Sequence, residues 1–135
     1  MPIMLTINYG SLKGITMSEL TVQLFDTTGY VSPKAVAELF HTTIKEVAIF
    51  SGLSQESVSK RSRVHSKTSQ KRLRDIVLII NKVLPWSGSP MQAYAWYRSE
   101  QLPGFGGLTA EDLVKRDMAN DVLDYITELT EGGFA

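Results

Sequence analysis

Thr43-Ile44-Lys45-Glu46-Val47-Ala48-Ile49-Phe50-Ser51-Gly52-Leu53-Ser54-Gln55-Glu56-Ser57-Val58-Ser59-Lys60-Arg61 holds two helix starts and one helix stop. Thr43 can cap a helix, with Glu46 in the box position three residues on. Ile44, Val47, Ala48 and Phe50 supply a buried face. Gly52 is placed to end that helix in a left-handed conformation, and Ser54 to cap the next. The second helix turns Val58 inward and offers Gln55, Glu56, Ser57, Ser59, Lys60, Arg61 and Arg63 outward. A helix, a glycine turn and a short helix rich in Gln, Ser and bases is the helix-turn-helix pattern. Its physics suits DNA. Gln can bond an adenine edge and Ser is adaptable, while Lys60, Arg61 and Arg63 can neutralise phosphates. Helical pairs with such turns also occur as plain packing units.

Upstream, Ser32-Pro33 opens another helix, with serine as cap and proline at the first helical position. Val36, Leu39 and Phe40 fall at helical spacing, and the helix is expected to end near His41-Thr42. Before that, Thr16 to Phe25 has no clean period and reads equally as a strand, a frayed helix or an arm.

Downstream, His65-Ser66-Lys67-Thr68-Ser69-Gln70 reads as an exposed polar connection. Lys71 to Leu84 is the core helix, with Leu73, Ile76, Val77, Ile80, Val83 and Leu84 on one stripe. Leu78 and Ile79 widen that stripe, which calls for burial on two sides, in the core or against another copy. Arg72 and Arg74 oppose the helix dipole at its start, so a phosphate or an acidic helix is expected beside them. Pro85 to Pro90 reads as a breaker between two halves. Ser89-Pro90 then opens a helix that carries Ala93, Trp96 and Tyr97, in which Tyr94 and Trp96 read as packing anchors rather than as a base-stacking platform.

Phe105-Gly106-Gly107-Leu108-Thr109-Ala110-Glu111-Asp112-Leu113 reads as a glycine turn feeding a capping box, Thr109 with Asp112. Two helices follow, Ala110 to Arg116 and about Ala119 to Thr130, burying Leu113, Val114, Val122, Leu123, Ile126 and Leu129. Glu131-Gly132-Gly133 stops the second and leaves Phe134-Ala135 as a tail, either tucked against its own helix or offered to a partner.

The 135 residues fit one domain or two very small ones. The absence of cysteine removes disulfides, thiolate catalysis and Cys-type zinc sites. With His41 and His65 the only histidines, no metal site is expected. No apolar run is long enough for a membrane span and no leader opens the chain, so a soluble, cytoplasmic protein is expected. There is no phosphate-loop glycine pattern and no Ser/His/Asp arrangement, so neither enzymatic activity nor a cofactor is expected.

The net charge of zero hides an asymmetry. Ser54 to Leu84 holds eight bases and two acids, net +6, while Ser99 to Ala135 holds two bases and eight acids, net −6. A basic middle suits a polyanion and an acidic end suits a basic protein surface, unless the halves neutralise each other within the fold or across a dimer.

The combination resembles the Xre/MbcA/ParS family of bacterial antitoxins over roughly Pro33 to Ala135. The matching features are Gly52-Leu53-Ser54 before Ser57-Val58-Ser59-Lys60-Arg61, the aliphatic helix Leu73 to Leu84, and Ala95-Trp96-Tyr97. Phe105-Gly106-Gly107-Leu108-Thr109 with Asp112-Leu113 and the terminal Val122 to Ala135 segment complete them. The family often has Arg-Arg where this chain has Lys60-Arg61, and leucine is common where Phe105 stands. The N-terminal stretch has no clear counterpart. The resemblance implies an all-α fold: an uncertain segment 1–31, a helix-turn-helix-like DNA-binding module 32–69, and residues 70–135 as core or dimerisation helix and toxin-binding domain. It also implies a RES-domain, NAD-consuming toxin as partner, promoter DNA as second partner, and a homodimer. Carried over, Gln55, Ser57, Ser59, Lys60, Arg61 and Arg63 would face DNA. Phe105, Gly132, Gly133, Phe134 and Ala135 would face the toxin.

Overall fold

A computed structural model describes residues 23–132. Most of the Thr16 to Phe25 stretch and the tail residues Gly133, Phe134 and Ala135 lie outside it. Six of the helices begin where a short side chain takes an orphan backbone N–H. Ser32 accepts from the Ala35 N–H (3.1 Å) and opens α1, Pro33–Leu39. Thr43 accepts from Glu46 (3.1 Å) and opens α2, Ile44–Ser51. Ser54 accepts from Ser57 (3.1 Å) and opens α3, Gln55–Ser59. After α4, Arg61–Val64, Ser66 accepts from Ser69 (3.2 Å) and opens α5, Lys67–Ser87. Ser89 opens α6, Pro90–Ser99, and Thr109 opens α7, Ala110–Lys115. The last helix, α8, is Ala119–Glu131.

The fold is all-α. Among the described residues, backbone pairing outside helices and turns amounts to two antiparallel bridges, Phe25 with Val31 and Gln101 with Thr109. No described helix is long and apolar enough to cross a membrane. One apolar core runs from Leu24 and Val31 through Phe50, Leu73 and Ile80 to Tyr97, Leu113, Val122 and Ile126. It collects side chains from both sides of the division at residues 69 and 70, which itself falls inside α5.

Two local expectations change. The polar connection His65–Gln70 is largely helix: Ser66 is a cap, α5 starts at Lys67, and Ser69 and Gln70 are buried. Gln70 is kept there by three hydrogen bonds. Its Oε1 accepts from the Val31 N–H (2.8 Å), and its Nε2 donates to the Val31 and Val64 carbonyls (3.0 Å each). The breaker at Pro85 does not break. Pro85 and Trp86 complete the last turn of α5, and Gly88, at φ 98°, ends it. Proline is tolerated because only one hydrogen bond, to the Asn81 carbonyl, is forgone near a helix end. The broad stripe of α5 is buried on one chain alone except at Leu78, which is half exposed between Arg74 and Lys82.

α5 is covered by α6 and α8. Lys71 pairs with Asp117 (3.2 Å) and Lys82 donates to Thr127 (3.1 Å), so α5 and α8 run side by side in the same direction. Arg72 is explained from inside the chain: its Nη1 donates to the Ser51 carbonyl (2.7 Å), at the negative end of α2. Gly52 follows at φ 72°. A Cβ on it would lie 2.9 Å from Lys115 Cγ and 3.0 Å from Arg72 Nη1.

Gly52→Ala therefore meets both left-handed strain and a close neighbour. The expected loss is about 1–3 kcal/mol in urea unfolding, built on roughly 1–2 kcal/mol for a Cβ in that conformation. An unchanged midpoint would show that the turn relaxes freely.

The capping box of α7 forms as the sequence indicates: Thr109 Oγ1 accepts from the Asp112 N–H (3.1 Å) and Asp112 accepts from the Thr109 N–H (3.0 Å). That Thr109 N–H holds the Asp112 carboxyl below the usual carboxylate range. A lowered folded value stabilises above the unfolded value, roughly pH 3.9, and the gain is lost as pH falls through the folded value. The stability gap between wild type and Asp112→Ala, about 1 kcal/mol at pH 7, should shrink below about pH 4 in thermal melts.

Candidate nucleic-acid interface

α3 is fixed to the body from below by Val58, which is buried, and by the turn Gly52-Leu53-Ser54. Its exposed face carries Gln55, Glu56, Ser59 and Lys60, and Arg61 and Arg63 continue it on α4. The two helices do not form one rod. Lys60 takes an extended conformation, φ −83° and ψ 123°, so the chain bends between Ser59 and Arg61.

Of the residues predicted to face DNA, Gln55, Ser59, Lys60, Arg61 and Arg63 are exposed; Ser59 and Arg61 line one groove, and Lys60 and Arg63 both reach Glu56. Ser57 is not exposed. It is buried, its hydroxyl lies 2.8 Å from the Ser54 hydroxyl, and it accepts from Arg63 Nη2 (3.0 Å). A serine in the first turn is drawn inward here because the cap and the folded-back arginine both use its oxygen. Ser59 Oγ donates to the Gln55 carbonyl (2.7 Å), leaving its lone pairs outward.

Glu56 is the residue that pattern reading undervalued. Its carboxylate lies 3.3 Å from Lys60 Nζ and 3.5 Å from Arg63 Nη1. All three side chains are more than half exposed, so the pairs are screened and weak. They still place a negative charge between two of the expected phosphate contacts. Arg61 has no carboxylate within 4 Å among the described residues. The i, i+4 spacing of Glu56 and Lys60 was the available signal.

Beside α3 an open groove of about 380 Å³ runs between the start of α1, the start of α2 and the bend. Pro33, Ile44 and Val58 form its floor, and Lys34, Arg61 and His65 stand on its rim. His65 stacks on Tyr30 at 3.9 Å between ring centres and faces Asp26, 3.9 Å from its Nε2.

The second expected contact region is the C-terminal end. Phe105 is half-buried against the core, in a closed loop where Leu102 N–H donates to the Leu108 carbonyl (2.9 Å). Gly132 lies at the end of α8, and Gly133, Phe134 and Ala135 are outside the described residues. α8 shows Asp121, Asp124, Glu128 and Glu131 on its outer face, none with a base within 4 Å among the described residues. Only Lys71–Asp117 joins the basic segment to the acidic one by an ion pair in that set. The acids and bases thus stay largely separate on the surface.

Arg98 is the exception in chemistry and place. It reaches Glu46 (2.7 Å), Glu111 (2.7 Å) and the Tyr94 hydroxyl (3.1 Å), and sits 5.6 Å from the Phe50 ring centre. Burial works against its charge, but the two carboxylates and the hydroxyl hold it above the ordinary guanidinium range. Glu46 is consequently turned away from its own helix cap. Among the described residues, no three His, Cys, Asp or Glu side chains come together to hold a metal ion. The chain matches no protein-family model, no curated protein and no solved structure.

The geometry separates two effects. Gln55→Ala should relax preference between duplex sequences at similar non-specific affinity, since only a base-edge donor and acceptor is lost. Glu56→Gln should tighten binding to every duplex by severalfold at low salt, because Lys60 and Arg63 lose their counter-charge. Fluorescence anisotropy on two unrelated duplexes distinguishes them, and identical profiles for both variants would remove α3 from the interface.

Proposed function

We propose that this chain is a DNA-binding antitoxin. It binds its own promoter through α3 and neutralises a RES-domain, NAD-consuming toxin through its acidic C-terminal part. The observation that carries the DNA half is the capped pair α2 and α3 around Gly52, with Gln55, Ser59 and Lys60 exposed beside Arg61, which has no carboxylate within 4 Å among the described residues. The resemblance over Pro33 to Ala135 supports the toxin half, together with the acidic outer face of α8 leading into Gly132. A cleft that binds an anionic dinucleotide is expected to be basic, so an acidic cover is attracted to its rim. Inhibition is by occlusion, with Phe105 and the tail Gly132 to Ala135 as contacts. No catalytic step or cofactor on this chain is part of it.

A homodimer belongs to the same reading, because two α3 helices read two half-sites. Leu78, exposed midway along α5, is its natural apolar contact. The alternative is a stand-alone repressor that needs no protein partner.

Capture of the tagged full chain from its own host, read by mass spectrometry, tests the two. Near-stoichiometric recovery of a RES-domain protein is expected. Removing Gly133-Phe134-Ala135 should then weaken toxin inhibition far more than it lowers the melting temperature. Recovery of the chain alone, with promoter binding intact, would favour the repressor.

A further inference from the structure

The groove beside α3 adds a residue that the recognition pattern does not contain. Lys34, on the first turn of α1, and Arg61, just past the bend, stand on its rim. Neither has a carboxylate within 4 Å among the described residues, whereas Lys60 and Arg63 share Glu56. Ser59 lines the same groove, so it opens directly onto the exposed face of α3. Both walls are tied to one buried side chain: Gln70 bonds Val31 just before α1 and Val64 at the end of α4. The spacing of the two walls is therefore set by the core and not by the surface side chains. Asp26 also lines the groove, but its carboxylate accepts from the Thr28 hydroxyl and from the Thr28 and Tyr30 N–H groups and faces His65.

We propose that this groove seats the sugar-phosphate backbone of one DNA strand, with Lys34 and Arg61 contacting phosphates from its two walls. This rests on the reading of α3 as the DNA-facing helix. An open, apolar-floored channel suits an extended chain whose sugars are apolar and whose phosphates are spaced along it. The phosphate contacts of this protein then come mainly from Lys34 and Arg61, and only secondarily from Lys60 and Arg63.

The test is the salt dependence of duplex binding by the full chain, on its own upstream DNA and on an unrelated 30-base-pair duplex. Each phosphate contact contributes about 0.9 to the slope of log affinity against log salt. Lys34→Ala and Arg61→Ala should each flatten the slope by about that amount on both duplexes. Between 50 and 200 mM salt this means about a threefold smaller loss of affinity. Lys34→Arg should restore the slope, and Lys60→Ala should change it by less than half as much. If the wild type binds but Lys34→Ala leaves the slope unchanged, the groove contact is wrong and the α3 reading stands. If Lys60→Ala flattens it more than Arg61→Ala, the clamp is likewise overturned. If the wild type binds neither duplex, both fall.

Discussion

The C-terminal end of α2 is where the molecule is tied together. The Phe50 carbonyl accepts from the Tyr97 hydroxyl (2.8 Å) and the Ser51 carbonyl from Arg72 (2.7 Å). A helix end leaves its last carbonyls without internal partners, and burying them unpaired is costly. Here two side chains from two other helices, α6 and α5, satisfy them. Gly52 then turns the chain out under Lys115 of α7. Four elements thus meet at one turn, and the direction in which α3 leaves that turn is set by all of them. Burial raises the Tyr97 hydroxyl well above its ordinary range, so it stays protonated and donates.

Charge is used in two ways. Near the core it is paired: Arg98 joins Glu46 of α2 to Glu111 of α7, and Lys115 adds a second base to Glu111 (2.7 Å). Glu111 is buried, so leaving it unpaired would be strongly unfavourable, and its two bases offset that. At the surface, charge is segregated. Lys67, Arg74 and Lys82 lie along the outer face of α5, and Asp121, Asp124, Glu128 and Glu131 along that of α8. Among the described residues one ion pair, Lys71 to Asp117, links the basic segment to the acidic one.

The sequence by itself determined five of the helix starts, but not the one at Lys67, whose cap Ser66 lies in a run read as a polar connection. Ser32, Thr43, Ser54, Ser89 and Thr109 all cap as their residue type and following residues indicate, because an N-cap is a local bond within one turn. Gly52 and the Gly106-Gly107 pair take positive φ for an equally local reason. The core stripe of α5 was legible from its helical periodicity.

Tertiary structure decided the rest. Gln70 looks like a surface residue in a polar run, and only the approach of Val31 and Val64 gives it three buried partners. Ser57 is held inward by the Ser54 hydroxyl and by Arg63, which folds back onto it from beyond the bend, a contact that spacing along one helix does not reveal. Lys34 joins Arg61 across a groove formed by segments far apart in the chain. Hydrogen bonds within one turn follow from neighbouring residues, whereas the partners of a buried amide or a rim cation depend on which distant segments the core brings together.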